Sequence, residues 1–282
     1  MFELPVQLDH SAAFADLDRL LVTKLCIPPA RASLVPRPRL TARLTEALGR
    51  KLILLAAPAG SGKTTALVDW WATQAGAGAD LAWLALDDAD NDPVRFWTYA
   101  IGALETVYPG IGEPARAMLV APQSPLLEWV LTPLINALAT IPEDLVLVLD
   151  DYHLITTPAI HDSLLFLLDH IPPRMHLVLT ARHDPPLPLA RLRARGELAE
   201  FRSPDLRFTG DEAAGLLAAI LGAAPAPEHV ALLEARTEGW AAGLQLAALA
   251  LQGRANADEF IQAFTGSHRY IVSYLAEEVL NR

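Results

Sequence analysis

The sequence predicts an α/β fold in which a parallel five-stranded sheet has helices on both faces and is followed by a small all-α helical domain. Two patterns and the length of the chain predict it. Between Lys51 and about Leu206, short apolar stretches alternate with stretches whose apolar residues recur at helical spacing. After Phe208 only the helical spacing continues. The 282 residues suit a main domain of roughly 200 residues plus a smaller one.

The elements of the sheet domain follow from these patterns. Five stretches have the apolar character of parallel strands buried on both faces. They are residues 51–57, 81–86, 145–150, 176–181 and, more weakly, 197–202. Helical spacing covers residues 63–74, 92–107, 126–140 and 157–170. Pro93 and Pro158 stand near the start of two of these helices, where proline is favoured.

The C-terminal part carries helix signals of its own. Thr209 and Glu212 have the spacing of a capping box before an Ala- and Leu-rich run that Gly222 ends. Further helical spacing covers residues 228–236, 240–252, 258–264 and 270 to the end. These signals predict the small helical domain.

Composition excludes several classes of protein. Hydrophobic residues make up 52% of the chain, but the longest apolar run, 240–251, is shorter than the roughly 18 residues of a membrane span. Asp9 and Asp16 stand where a signal peptide would be basic or apolar. We therefore expect a cytoplasmic protein with no membrane contact. The formal charge of −11 repels nucleic acid, so direct nucleic-acid binding is not expected.

The single cysteine adds no special chemistry. Cys26 has no second cysteine to pair with and no cluster of ligand residues around it. The sequence therefore predicts neither a disulfide nor a zinc site, and we expect Cys26 to be a small apolar filler.

Residues 58–65 have the chemistry of a phosphate-binding loop. They read Pro-Ala-Gly-Ser-Gly-Lys-Thr-Thr and connect a predicted strand to a predicted helix. The two glycines tolerate the dihedrals that turn backbone amides inward, and the helix N-terminus adds partial positive charge. The predicted phosphate-binding residues are Pro58, Gly60, Ser61, Gly62, Lys63, Thr64 and Thr65.

This loop predicts binding of ATP or ADP with Mg²⁺. Lys63 would bridge the β- and γ-phosphates, and the Thr64 hydroxyl would bind Mg²⁺. The usual first glycine of such loops is Ala57 here, where we expect a small change of turn geometry. The alternative is a Gly-Ser-Gly linker that happens to precede Lys-Thr-Thr.

An acidic strand end supplies the second part of the predicted site. The apolar run 145–149 ends in Asp150 and Asp151. Asp150 would hold Mg²⁺, and Asp151 would orient or activate the attacking water. The alternative is that both aspartates merely cap the strand.

Arg182 follows the next predicted strand and is the candidate sensor of the γ-phosphate. The alternative is a surface arginine. The basic segment with Arg191, Arg193 and Arg195 could supply an arginine finger to a neighbouring subunit, but a solvated helix face is the stronger interpretation. Five scattered histidines, among them His153 and His161, have no ligand spacing and are expected to be structural.

Several motifs together resemble the MalT-like regulators, which are large ATP-dependent members of the LuxR group within the STAND class of signalling NTPases. The motifs are Thr23-Lys24-Leu25 with Pro28-Pro29, Val35-Pro36-Arg37-Pro38-Arg39-Leu40, the loop from Ala56 to Thr65, Trp83-Leu84-Ala85-Leu86-Asp87 with Asp90-Asn91-Asp92 and Phe96-Trp97, Leu149-Asp150-Asp151-Tyr152-His153, Thr180-Ala181-Arg182 with Asp184-Pro185-Pro186-Leu187-Pro188-Leu189, and Glu238-Gly239-Trp240-Ala241-Ala242-Gly243-Leu244-Gln245-Leu246.

The resemblance implies a specific organisation. Residues 1–40 would contribute to the adenine site through Val35 and Arg37, residues 41–207 would form an ASCE-type P-loop domain, and 208–282 the helical domain. The helix start at Trp240 would approach the nucleotide, or would simply pack inside the helical domain. Family members continue into a winged-helix domain, a helical-repeat sensor and a DNA-binding helix-turn-helix, none of which falls within the 282 residues.

The function implied is a nucleotide-controlled switch with slow ATP hydrolysis. ADP would hold a closed monomer, and ATP would favour an open form capable of self-association. The first alternative is a P-loop ATPase or kinase that acts on an external substrate. The second is a nucleotide-bound scaffold that does not hydrolyse ATP.

Overall fold

The computed structural model describes residues 20–30, 34–74, 79–121, 126–252 and 261. Its five strands are β1 (Leu52–Ala56), β2 (Ala79–Ala85), β3 (Asp144–Asp150), β4 (Met175–Ala181) and β5 (Leu198–Arg202). They form one sheet in the order β2-β3-β4-β1-β5. The pairs β1·β5, β2·β3 and β3·β4 are parallel. The predicted five-stranded parallel sheet is confirmed.

Helices occupy most of the remaining described chain. They are α1 (Pro38–Glu46), α2 (Lys63–Gln74), α3 (Pro93–Glu105), α4 (Glu113–Leu119), α5 (Leu127–Leu138), α6 (Pro158–His170), α7 (Leu189–Ala194), α8 (Ser203–Leu206), α9 (Gly210–Leu221), α10 (Pro227–Thr237) and α11 (Ala241–Leu251). Short 3₁₀ turns lie at Val22–Lys24, Ala47–Gly49, Asp88–Asn91 and Tyr152–Leu154. None of the described helices is both long and apolar enough to cross a bilayer.

The chain forms two compact units. The described part of the first comprises residues 20–27, 79–121, 126–179 and 186–188. It packs around aromatic side chains: Trp83, Phe96, Trp97 and Tyr152 are fully buried. Trp97 Nε1 donates a hydrogen bond to Ser163 Oγ at 2.9 Å, which ties α3 to α6.

A buried ion network anchors the leading segment within the first unit. Lys24 Nζ lies 3.0 Å from Asp87 Oδ2, also bonds to the fully buried Asp90, and stands 4.5 Å from the centre of the Tyr99 ring. Arg95 bonds to the second oxygen of Asp90 at 3.2 Å. Because a buried carboxylate is costly without partners, these two cations stabilise the turn after β2.

The described part of the second unit comprises residues 28–30, 34–74, 180–185, 189–252 and 261. It contains β1, β5, the end of β4 and the helices α1, α2 and α7–α11. Helix α9 begins with the predicted capping box, since Glu212 N–H donates to Thr209 Oγ1 and Thr209 N–H to Glu212 Oε2. It ends at Gly222, whose φ of 75° is left-handed. The hydrophobic core of this part joins α9, α10 and α11.

Most predicted elements begin and end within two residues of the observed bounds, and α2 agrees at both ends. Helices α1, α4 and α8 were not predicted; each is short and offers few apolar residues for a periodic pattern to form. The predicted helices 258–264 and 270–282 lie outside the described residues, apart from Ile261. The predicted domain boundary near residue 207 falls inside the second unit and stays a prediction.

One sequence-based expectation about side-chain burial is wrong. Cys26 is exposed rather than an apolar filler, and its thiol donates to the Val22 carbonyl oxygen at 3.2 Å. It stands two residues after the end of the 3₁₀ turn Val22–Lys24, and the two residues before it, Lys24 and Leu25, are buried. The turn therefore directs the thiol outward.

Candidate functional site

The loop between β1 and α2 has the backbone of a phosphate cradle. Gly60 and Gly62 have backbone φ angles of 71° and 80°, which residues other than glycine rarely adopt. Ala57 is not among the residues with positive φ, so alanine is accommodated where related loops have glycine. Helix α2 begins at Lys63, and the first amides of a helix have no partner within it. The loop and the helix start can therefore present amides to one anion.

Lys63 is held inside this loop. Its side chain is 7% exposed, and Nζ donates to the carbonyl oxygens of Ala57 at 2.8 Å and Pro58 at 3.1 Å. The ammonium group is thus fixed on the same loop whose glycines turn. This arrangement places a cation next to the amides that would bind phosphate.

The start of α11 packs directly on the loop. Trp240 Nε1 donates to the Ala59 carbonyl oxygen and Ala242 N–H to the Gly60 carbonyl oxygen, both at 3.0 Å. A Cβ added to Gly62 would lie 3.6 Å from the Ala241 Cβ. The start of α11 therefore contacts the phosphate loop within the second unit, and its predicted approach to the nucleotide stays a prediction.

Among the cavities of the described residues that border the loop, two share Ala241. The smaller, about 60 Å³, combines loop and α2 residues with Val35 and Arg37. We call it the Val35 cavity; it is lined by Leu34, Val35, Arg37, Gly62, Thr65, Ala66, Asp69, Phe208, Leu216, Ala241 and Gln245. The larger, about 310 Å³, includes Ser61, Arg207 and Trp240 in its wall. Val35 and Arg37 thus line a cavity beside the loop, and their contact with adenine stays a prediction.

The guanidinium of Arg37 serves a structural network. Arg37 is 5% exposed, and Nε lies 3.1 Å from Glu212 Oε2, while Nη2 donates to the carbonyl oxygens of Leu206 and Arg207. The guanidinium also stands over the Phe208 ring at 4.4 Å. Burial lowers the pKa of Arg37, and the nearby Glu212 carboxylate only partly reverses this. The sequence did not identify this bonding of Arg37.

Glu212 is the centre of that network. Its Oε1 accepts from Arg39 Nε at 2.9 Å, and its Oε2 accepts from Arg37, Arg39 Nη2 and the Thr209 amide. Two arginines before the loop are thereby joined to the first turn of α9. The capping-box spacing identified Glu212 as a helix cap; its pairing with distant arginines required the tertiary structure.

Arg182 is placed as predicted at the end of β4. The Ala57 amide donates to the Ala181 carbonyl oxygen at 3.1 Å, so Arg182 follows the residue that pairs with the start of the phosphate loop. Its side chain is half-buried. The position is compatible with sensing a phosphate bound to the loop.

Asp150 and Asp151 belong to the first unit. Asp150 ends β3, is buried, and pairs in register with Ala85 of β2. Asp151 has a left-handed backbone (φ 60°, ψ 37°), and its side chain is 45% exposed. A non-glycine residue held in this conformation is uncommon and often marks a functional position. Their roles at the nucleotide stay predictions.

Two contacts hold the turn that carries Asp151. Tyr152 OH and His161 Nδ1 lie 2.7 Å apart in the interior, where burial lowers the pKa of His161 although Asp162 opposes this. Asn91 Oδ1 accepts from the amides of Thr156 at 2.7 Å and Thr157 at 3.2 Å. His161 is thus structural, as expected.

Asn91, in the 3₁₀ turn Asp88–Asn91 after β2, is a residue that the sequence analysis did not single out as functional. Its Nδ2 donates to the Leu154 carbonyl oxygen at 2.8 Å. One amide side chain therefore joins the turn after β2 to the loop after β3. These partners of Asn91 are more than 60 residues away, so no local sequence signal identified them.

The described residues contain no group of three or more His, Cys, Asp or Glu side chains able to hold a metal ion. The predicted Mg²⁺ ligands, Thr64 and Asp150, are two separate side chains. An Mg²⁺ bound with nucleotide would take further oxygens from phosphate and water. The binding of Mg²⁺ by Thr64 and Asp150 stays a prediction.

Comparison with known proteins gives relatives for nearly the whole chain. The HTH-type transcriptional regulator MalT of Cronobacter sakazakii is 37% identical over 268 residues, which is 93% of this chain and 29% of that protein. The serine/threonine-protein kinase PknK of Mycobacterium tuberculosis is 36% identical over 249 residues, or 88% of this chain and 22% of that protein. No protein-family model matches the chain.

A solved structure has the same fold. The STAND protein PH0952 from Pyrococcus horikoshii, which has a tetratricopeptide repeat sensor, superposes with a TM-score of 0.54 at 15% identity. The match covers 88% of this chain and 35% of that one. The chain spans less than a third of the length of the curated relatives described above. The relatives' other segments therefore have no counterpart among these residues.

Proposed function

We propose that this chain, which is 37% identical to a MalT regulator over 93% of its length and has the fold of a STAND protein, is a nucleotide-controlled switch of the MalT-like P-loop ATPases. It binds ATP and ADP with Mg²⁺ and hydrolyses ATP slowly in the service of regulation. The observation that carries the proposal is the loop with Gly60 and Gly62 at positive φ around the buried ammonium group of Lys63.

Each site residue has a proposed role. The amides of Gly60 to Thr65 and Lys63 bind the phosphates, while Thr64 and Asp150 hold Mg²⁺, which offsets phosphate charge when bound. Asp151 orients the water that attacks the γ-phosphorus, so that ADP leaves and inorganic phosphate forms. Arg182 binds the γ-phosphate, and Val35 and Arg37 border the base.

The contact between α11 and the loop supports the switch. The Gly60 carbonyl that accepts from Ala242 belongs to the same peptide group as the Ser61 amide. A phosphate that reorients this peptide group changes the hydrogen bond to α11. A ligand shifts such an equilibrium only by its differential affinity, and about 5.5 kcal/mol moves it from 1:99 to 99:1.

The relatives support a shared regulatory module. The same segment matches a transcriptional regulator and a protein kinase, whose names describe different outputs. A nucleotide-controlled switch can regulate either kind of output. We propose that the protein acts in the cytoplasm, that ATP promotes its self-association, and that these 282 residues do not bind nucleic acid directly.

The nucleotide retained through purification tests the switch. We expect acid extraction and chromatography to release ADP, because a slow regulatory ATPase holds its product tightly. An exchange experiment with excess ATP serves as the control for binding competence. A protein that retains no nucleotide and binds neither ADP nor ATP contradicts the proposed function.

Asp151→Ala tests the hydrolytic role. Because the carboxylate orients water and does not bind the phosphates, we expect turnover of labelled ATP to fall about 100-fold or more with ADP affinity nearly unchanged. Asp162→Ala, which removes an exposed aspartate of α6, is the matched control and should hydrolyse ATP at the wild-type rate. Unchanged turnover in Asp151→Ala removes that residue from the mechanism.

A further inference from the structure

Asp69 places a buried carboxylate on the wall of the Val35 cavity. It is 6% exposed. Thr65, Ala66 and Asp69 line the cavity and lie on one face of α2, together with Gly62, which immediately precedes the helix. That face begins at the phosphate loop and ends at Asp69.

One oxygen of this carboxylate is already engaged. The Arg37 amide donates to Asp69 Oδ2 at 3.1 Å. Among the residues that the structure describes, this is the one hydrogen-bond donor to Asp69. Because an ionised carboxylate has several acceptor positions, Oδ1 can accept a hydrogen bond from a ligand in the cavity.

The cavity suits the base of a nucleotide bound to the loop. Helix α2 rises 1.5 Å per residue, so Asp69 lies about 9 Å along its axis from Lys63. The Val35 cavity extends from Gly62 of the loop to Asp69. The side chains of Val35, Leu216 and Ala241 offer apolar contacts for the faces of a planar ring. At roughly 10–15 Å³ per water, its volume of about 60 Å³ has room for about four to six waters, the scale of a bicyclic base.

We propose that Asp69 reads the base, with Oδ1 accepting a hydrogen bond from the 6-amino group of adenine. Adenine presents a donor at this position, whereas guanine and hypoxanthine present an acceptor that a carboxylate repels. Guanine also has an edge with two hydrogen-bond donors, which a carboxylate would bind with both of its oxygens. In Asp69 one oxygen already accepts from the Arg37 amide, so this arrangement does not favour guanine. The inference rests on the proposed nucleotide function and names the residue that sets its base preference.

The first test uses the wild-type chain and two analogues. The diphosphate of purine riboside carries hydrogen in place of the 6-amino group, and IDP carries oxygen there. We expect ADP to bind about 10- to 100-fold more tightly than either analogue, because the analogues offer no hydrogen-bond donor to Oδ1 of this buried carboxylate. Equal affinities for ADP and the purine riboside diphosphate overturn the proposal.

The second test changes the polarity of the hydrogen bond. Asp69→Asn keeps an acceptor for the Arg37 amide and presents an N–H donor to the base. We expect the preference for ADP over IDP to fall close to one, with affinity for the purine riboside diphosphate nearly unchanged. Asp80→Asn, which alters another partly buried aspartate that accepts from Tyr108 OH, is the matched control and should keep the wild-type preference.

The outcomes separate this inference from the proposed function. If the wild type binds no nucleotide, or if Lys63→Ala binds ADP with full affinity, the proposed nucleotide function itself is overturned. Binding that requires Lys63 but keeps the same ADP preference in Asp69→Asn overturns only the role of Asp69. If Asp69→Asn fails to fold by circular dichroism, the wild-type analogue series decides.

Discussion

Lys63→Ala should lose at least about 100-fold in affinity for ADP and ATP, which corresponds to about 2.7 kcal/mol. The ammonium group lies inside the phosphate loop and is fixed there by two loop carbonyls. Charge-assisted hydrogen bonds to phosphate contribute about 1.5–3 kcal/mol each, and alanine supplies none. Titration with a fluorescent ADP analogue, followed by competition with ADP and ATP, measures the loss.

The substitution should leave the protein folded without nucleotide. Removing a buried ammonium group also removes its desolvation cost, so the unfolding free energy of the empty protein should change little. Added ADP and Mg²⁺ should raise the melting temperature of the wild type and not that of Lys63→Ala, since only bound ligand stabilises.

Lys51→Ala is the matched control. Lys51 stands one residue before β1 and forms a partly exposed ion pair with Glu197 at 3.0 Å. Exposed pairs contribute about 0–1 kcal/mol, and this one is outside the loop, so ADP affinity should stay within about twofold of the wild type. Lys63→Ala with wild-type affinity would sink the assignment of the phosphate loop.

Glu212→Ala should destabilise the protein by about 3–5 kcal/mol, because it leaves the buried guanidinium of Arg37 without its carboxylate partner. It also removes the partner of Arg39 and one half of the capping box of α9. Denaturant unfolding, followed by circular dichroism, measures the free energy. The large expected effect follows from breaking a buried pair on one side only.

The pH dependence of stability gives an independent measure. Burial raises the pKa of Glu212, but hydrogen bonds from Arg39 and the Thr209 amide, with the charge of Arg37, outweigh it and hold the pKa below 4.5. A lowered carboxyl pKa contributes stability that is present above about pH 4.5 and is lost as pH falls through the folded value. Glu212→Gln should therefore show a weaker loss of stability below pH 4.5 than the wild type.

Asp211→Ala is the control for both measurements. Asp211 is the exposed neighbour of Glu212 in the first turn of α9, where its charge favours the helix dipole by about 0.3–1 kcal/mol. Its replacement should cost less than about 1 kcal/mol. Equal stability of Glu212→Ala and Asp211→Ala would contradict the network around Arg37.

Local patterns explain why much of the fold was predictable. The strand β3 is a run of Leu and Val that ends in Asp150, and α9 is bounded by a capping box and a glycine. Such signals depend on residues close together in the chain, so they can be recognised from a single sequence. Helix α4 was missed because its seven residues bury only Ala115 and Leu119.

The same distinction applies to the residues of the candidate site: local spacing identified some of them and could not identify others. Lys63 and the glycines of its loop could be assigned because their spacing itself carries the chemistry. Asp69 could not, since one aspartate on an amphipathic helix has no local signal for facing a cavity. Asn91 could not be assigned either, because its partners Thr156 and Thr157 are 65 and 66 residues away in the sequence.

The sequence by itself determined the positions along the chain of the five strands and of the longer helices. It also identified the phosphate loop with Lys63 and the acidic end of β3. These depend on hydrophobic periodicity and on contacts between near neighbours. Only the tertiary structure decided that α11 packs on the loop, that Glu212 pairs with Arg37, and that Asp69 borders the same cavity as Val35. Those contacts join residues more than 30 positions apart, and their energies depend on burial that no local pattern specifies.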